Sequence, residues 1–426
     1  MPKKRICIGC LILVALLIFV SCTQEDPTIL RVSLWDYNHW VDDEFFEKFQ
    51  KQHPNIKLKI ESESWGNYHT KLNTQIITNT APDVMLFKAS DIYSYCEKNA
   101  LLDISDLIET EKYPLDSLFS NSVESCKWKG KIYGLPISNN VSAIYLNLNL
   151  FEKYDIEVPS AETVMNWQQF QQLCQQFSTK IKNDPMSQID FVYVENVGWM
   201  EMYSAVLQND ASPFDKLENP QKCLLNTPKA LEACKYYFNF SLKYGYSPTL
   251  LEYISHFKRS PSDLFYQQKF PIYLGQLGQR FLNDPDRNFK VKVIPRPKGK
   301  RRAAFVIVNV ATINPNTKHL KESWELLKYL TSTESQKYIA SKEALGGFIP
   351  SLKKVAYSND LFPNHPEVRR VVLDELEHSV PLMKATSKEL PFAINPVLER
   401  LAMKQLSINE AMIEITQKVN KIFSSN

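Results

Sequence analysis

Strand-like and helix-like patterns alternate along almost the whole chain, and that alternation constrains the fold more than any other feature. Residues 29–35, ILRVSLW, alternate apolar and polar as a strand. Asp42 and Asp43 then open an amphipathic helix through Phe45, Phe46 and Phe49, which stops before Pro54. Ile56, Leu58 and Ile60 mark a second strand, Tyr68, Leu72, Ile76 and Ile77 a second helix, and APDVMLF (81–87) a turn and a third, buried strand. The pattern resumes with a helix over about 160–177, strands at 190–194, 269–275, 289–295 and 305–313, and helices at 227–244 and through Trp324, Leu327 and Leu330. A mostly helical tail follows from 366. Repeated alternation predicts an α/β fold with parallel strands.

The first 22 residues stand outside that pattern. Lys3, Lys4 and Arg5 precede an apolar run from Ile6 to Val20, followed by Ser21 and Cys22. This is the layout of an export signal, and the run is shorter than the ~20 apolar residues of a spanning helix. The small residue before Cys22 resembles a bacterial lipoprotein cleavage site, so residues 1–21 are read as a signal peptide. Cys22 is then the lipidated first residue and 22–28 a polar tether. Phe19 stands where that motif usually has Leu. The mature chain is expected outside the cytoplasm, anchored to a bacterial membrane in the periplasm or at the cell surface.

Those three basic residues account for the whole formal charge of +3, because the remaining 47 Lys and Arg equal the 47 Asp and Glu. A neutral mature chain gives no argument for a nucleic-acid partner. Cys96, Cys126, Cys174, Cys223 and Cys234 remain after the leader, an odd number without paired spacing, hence no disulfide framework. Cys174 and Cys234 fall in helical patterns as small core residues. What remains is long enough for two or more domains with proper cores.

Residues 130–151, GKIYGLPISNNVSAIYLNLNLF, read as a strand, a short irregular corner at Pro136–Asn140, and a second strand. Ser and Asn bond their own backbone and tolerate unusual dihedrals, which suits a hinge between domains. A surface loop within one sheet is the plainer alternative.

In open α/β sheets ligands sit beyond the carboxyl ends of strands. The loops there hold Trp35-Asp36-Tyr37, Trp65 with Tyr68, Phe87 with Asp91, Asn139-Asn140, Glu195 with Trp199, and Gln276 with Gln279. Flat rings cover the C–H faces of a pyranose, and amides and carboxylates pair with its hydroxyls. Each residue alone is as well explained by packing; their recurrence at strand ends points to a saccharide.

Several longer pieces then resemble, in order, the extracellular solute-binding proteins of bacterial ABC importers, in the large sugar-binding group that includes the maltose-binding protein. They are FFEKFQKQHPNIKLKIE, YHTKLNTQIITNTAPDVMLF, GKIYGLPISNNVSAIYLNLNLFEKYDIEVPSAETVMNWQQF, KHLKESWELLKYLTSTESQKYI, GGFIPSLKKVA and LSINEAM. The resemblance implies a two-lobe periplasmic-binding-protein type II fold with three hinge crossings. The crossings fall near 138–140, 290–295 and 331–333. The first lobe is then 28–138 plus 294–331, and the second 140–290 plus 332–426. Hinge residues are Ser138 and Asn139. Matched positions make Trp35, Trp65, Phe87, Trp199 and Phe392 stacking residues and Asp36, Asn140 and Gln276 hydrogen-bonding ones. Tyr68 and Gly347 are further ligand contacts. The chain departs from its relatives at LGQLGQRF, where Gln276 or Leu277 replaces an aromatic, and its 11 glycines leave the hinge little glycine freedom. Expected partners are a small solute of the sugar type and the permease subunits; a monomer is expected, with no cofactor, no metal and no catalysis.

Other chemistries find less support. No motif singles out a carboxylate pair for glycoside hydrolysis, and G-x-S-x-G is absent. The seven histidines are scattered without metal-ligand spacing. Tyr236-Tyr237 resembles an iron-binding pair but sits mid-helix. The basic run PRPKGKRR (295–302) reads as a solvated hairpin tip. A polyol or glycerol phosphate ligand, or a secreted carbohydrate-active enzyme, are the competing readings.

Overall fold

The computed structural model describes residues 26–37, 41–195, 199–257, 260–276, 282, 286–341, 348–382 and 389–425. The first sheet grows from strands β1 (Thr28–Trp35), β2 (Ile56–Glu63) and β3 (Val84–Lys88), with β1 central and parallel to both neighbours. Helix α1 (Asp43–Gln52) joins β1 to β2, and α2 (Trp65–Ile77) joins β2 to β3. The α1 start is fixed as the sequence predicts: Asp42 Oδ1 accepts from the Phe45 N–H at 3.1 Å, satisfying an orphan donor of the first turn.

Strands from farther along the chain extend this sheet. Strand β11 (Ala304–Ile313) lies antiparallel between β3 and β6 (Leu135–Asn140), and β12 (Ile349–Pro350) pairs with the outer edge of β6. Gly134 leads into β6, where a Cβ would stand 2.6 Å from the Ala311 carbonyl oxygen, so only glycine lets the two backbones approach. The second sheet runs β10 (Val291–Ile294), β7 (Ser142–Asn147), β9 (Ile272–Gln276), β8 (Tyr193–Glu195). Helices α3 (Trp167–Lys182), α4 (Trp199–Gln208) and α5 (Pro228–Leu242) belong to this half, with α8 (Leu390–Ala402) and α9 (Ile408–Ser425) packed against α4 and α5. The five described cysteines are all buried. Tyr236 lies within α5 and stacks on Trp167 at 4.0 Å, a packing role.

The stretch around 130–151 joins the two sheets. Ser138, Asn139 and Asn140 are extended and paired in the first sheet, while Ser142 already pairs in the second, so the change of sheet falls at Val141. The expected bend at the asparagines is therefore displaced. Asn139 is instead bonded into the first half, accepting from Ser122 Oγ at 2.6 Å and donating to Ser351 Oγ at 3.4 Å.

The second crossing also lies later than expected. Residues to Ile294 pair with β7, and residues from Ile307 pair with β6, so the chain crosses within 295–306. That corrects the reading of PRPKGKRR as a solvated hairpin tip. Arg296 is buried. Its Nη2 donates to Glu201 Oε2 at 2.8 Å and its backbone N–H to Glu375 Oε1 at 3.1 Å. Arg302 Nη2 reaches the same Glu375 oxygen at 2.8 Å, and its Nη1 pairs with Asp374. Glu375 and Asp374 lie on α7 (Pro366–Glu377), which packs over β7 and β10. Burial works against the Arg296 charge, yet Glu201 and Glu375 hold its pKa above the ordinary value. Burial raises the Glu375 carboxyl despite both arginines.

The expected crossing at 331–333 is not where the chain leaves the first half. Helix α6 (Thr333–Ser341) remains there: Gln336 Nε2 donates to the Ile137 carbonyl at 2.8 Å, and Tyr338 packs 5.2 Å from Phe45. The following β12 still adds to the first sheet. These contacts bury apolar surface that an earlier departure would expose.

Candidate functional site

A cavity of about 270 Å³ opens where β3 ends and β11 begins. Trp65, His69, Lys88 and Asp91 line it from the first half, Ile307 forms its floor, and Met200 at the start of α4 faces them. It therefore draws walls from both halves of the molecule. A smaller cavity of about 100 Å³ lies between α5 and α8 with Glu195 at its edge. All its walls come from the second half, so movement of the halves would not enclose a solute there.

Alternation along β3 decides what the main cavity sees. Phe87 turns into the core, fully buried, 4.8 Å from the Tyr95 ring. Lys88, the next residue, turns the other way and reaches the cavity. Trp65 is the first residue of α2, and its backbone N–H donates to Asp36 Oδ1 at 3.2 Å. Asp36 adopts φ 46°, so its carboxylate and its backbone together fold the β1 turn against the helix start. Trp35 lies buried below, its ring 5.4 Å from Trp65 edge to face. Tyr68, three residues on, is buried too and donates its hydroxyl to the Leu86 carbonyl at 2.5 Å.

The predicted aromatic set thus divides. Trp65, 37% exposed, faces the cavity. Trp35, Tyr68 and Phe87 form the packing beneath it and do not line it. Their type at strand ends fits either role, and only the direction of each side chain separates the two. Asp36 anchors the turn. Asn140 is buried close to the β11 entry, opposite Ile307, and its Oδ1 has no hydrogen-bond partner among the described residues. Asn309 Nδ2 donates to Ser138 Oγ at 2.9 Å, locking the neighbouring pair. Gln276 ends β9, half-buried, outside the cavity wall, and its carbonyl accepts from Tyr145 at 3.4 Å. Phe392 is 82% exposed on α8 and does not line the cavity either. Trp199 begins α4, next to Met200, but its side chain, like Gly347 and Cys22, lies outside the described residues.

Two titratable residues of the wall, Lys88 and His69, are not among the predicted site residues, and Asp91 is noted at its strand end without being chosen. Lys88 Nζ sits 4.1 Å over the Trp65 ring. Asp91 Oδ2 stands 3.5 Å from His69 Nε2, and His69 Nδ1 is 3.1 Å from the Tyr95 hydroxyl. Lys88 was legible in principle as the first polar residue after an apolar strand, and His69 as the residue one helical turn after Trp65. Burial pulls the Lys88 ammonium below its ordinary pKa, with Asp91 opposing. Asp91 is the one carboxylate among the described wall residues. Among the described residues no group of three His, Cys, Asp or Glu is placed to hold a metal ion.

In the second half, Glu195 ends β8 and accepts from the Tyr193 hydroxyl. Burial, then the nearby Glu201, raises its carboxyl to about 7, against Tyr193, Tyr237 and Arg296.

Comparisons with known proteins agree with this two-half architecture. An ABC transporter extracellular-binding protein of Pyrococcus horikoshii is 25% identical over 369 residues, covering 82% of this chain and 78% of that one. The structure of an ABC substrate-binding protein from Listeria monocytogenes, in complex with cycloalternan, superposes with TM-score 0.80 at 21% identity over 94% of this chain and 100% of that one. The sugar-binding protein MalE of Xanthomonas citri gives 0.78 at 17% identity, over 93% and 98%. The two halves are thus the lobes of a MalE-type fold. The profile for bacterial extracellular solute-binding proteins matches residues 44–370, most of the sequence, and the chain belongs to that family, as a solute-binding protein of an ABC transporter.

Proposed function

We propose that the chain captures a saccharide between its lobes and delivers it to the permease subunits of an ABC importer, as a monomer held to the membrane by lipid on Cys22. The observation that carries this reading is the half-exposed Trp65 ring in a cavity walled by both lobes. An indole face suits the C–H face of a pyranose, and His69 and Asp91 offer polar atoms for hydroxyls. The cycloalternan complex of the Listeria protein and the sugar-binding description of the Xanthomonas one support the same solute class. A wall with a single carboxylate among its described residues favours binding over glycoside hydrolysis, which uses two.

A ligand stabilises the closed state only through contacts made better there. Trp65 on one lobe and the α4 start on the other would meet the solute from opposite sides. In this reading the first lobe ends at Asn140 and regains the chain from β11 to β12, and α8 and α9 belong to the second.

Thermal-shift screening of the purified chain against sugars tests the reading. A sugar should raise the melting temperature and be recovered unchanged. Trp65→Ala should weaken its binding roughly 30-fold, the loss of one hot spot of about 2 kcal/mol. Undiminished affinity in that variant, or conversion of the sugar, would refute the assignment.

A further inference from the structure

Lys88 is the wall residue whose chemistry the saccharide reading leaves unexplained. It is half-buried at the end of β3, and its ammonium lies over Trp65. Among the described residues it has neither an ion-pair carboxylate nor a hydrogen-bond acceptor. Asp91 acts on it only through its charge, and its Oδ2 stands 3.5 Å from His69 Nε2. Arg296, by contrast, bonds Glu201 directly through its guanidinium, with Glu375 also near its charge.

Partial burial of a cation without an ion pair is costly, and a cation–π contact offsets only a part. The cost is recovered if an acidic group arrives with the ligand. Charge-assisted hydrogen bonds are about twice as strong as neutral ones, and they strengthen as a closing cleft expels water. We propose that Lys88 makes this cleft selective for a saccharide carrying one acidic group, a carboxylate or a phosphate, seated against its ammonium beside Trp65. The inference rests on the saccharide reading of the same cavity and adds the charge of the solute to it.

The test is calorimetry and thermal shift on the full mature chain with matched probes. Glucose and maltose are the neutral members, glucuronate and oligogalacturonides the carboxylates, and glucose 6-phosphate the phosphate. Binding of an acidic member at least tenfold tighter than its neutral counterpart is expected, weakening between 50 and 500 mM NaCl. Which arm responds names the acid. Lys88→Met should remove that preference, Lys88→Arg should keep most of it, and unliganded Lys88→Met should melt no lower than the parent. Neutral sugars binding as tightly as acidic ones, with Lys88→Met affecting both alike, would overturn the inference and leave the saccharide reading standing. No response to either class would overturn both.

Discussion

Lys88 is a half-buried cation and Arg296 a buried one, and they are met differently. Arg296 lies in the segment that crosses between lobes and is met by Glu201 on α4 and Glu375 on α7. Lys88 lies on the cavity wall over the Trp65 ring, without an ion-pair contact among the described residues and with the Asp91 charge on the same wall. A buried arginine with its carboxylates in place is a tie between elements. A half-buried lysine without an ion pair is a binding group waiting for its partner. The difference teaches that charge at a lobe junction and charge at a cleft do separate work, although both appear in the sequence as ordinary basic residues.

The largest effect should come from breaking the tie. Glu375→Ala leaves Arg302 and the Arg296 backbone N–H without their shared acceptor and should cost about 3–5 kcal/mol in denaturant unfolding. A loss below about 1 kcal/mol would erase the contrast with Lys88. Next comes the layer under the cleft. Phe87→Ala should lower stability by about 3–4 kcal/mol, in the lower part of the range for a buried Phe because the Tyr95 ring can lean into the gap. Solute affinity measured well below the melting temperature should stay within a few-fold. A selective loss of affinity at unchanged stability would return Phe87 to the cleft wall.

The smallest effect is a pH dependence. Glu195 is raised in the folded protein to about 7 from an unfolded value near 4.5. Its protonated form is thus favoured by folding. The contribution is complete below the unfolded value and is lost as pH rises through the folded one. The melting temperature should therefore fall as pH goes from 6 to 8, and Glu195→Gln should flatten that slope. A variant with the parent's slope would locate the titration elsewhere, for instance at Glu375, which burial also raises.

Much of this was legible along the chain. The alternation of strand and helix predicted the α/β class, Asp42 predicted the α1 start, and motif order predicted the solute-binding family. The site was read less well. Trp35, Tyr68 and Phe87 have the right type and the right strand-end positions, yet they face inward. A strand flips its side chains at every residue, so a displacement of one position exchanges Phe87 for Lys88 at the cavity. The crossings shifted for a related reason. Asn139 and Gln336 find buried partners within the first lobe, which holds their segments there beyond the positions implied by the family resemblance.

The sequence by itself determined what is local or periodic: the composition of the amino-terminal stretch, the period of each element, the helix start at Asp42, and the order of family motifs. Those follow from the chemistry of neighbours a few residues apart. Tertiary structure alone decided which aromatic faces the cleft, which basic residue is tied and which is left open, and where the chain changes lobe. Each of those depends on partners far along the chain. Arg296 meets Glu375, Asn309 meets Ser138, and Lys88 meets no such partner among the described residues. Burial makes the presence or absence of such a partner decisive, because water no longer supplies a substitute.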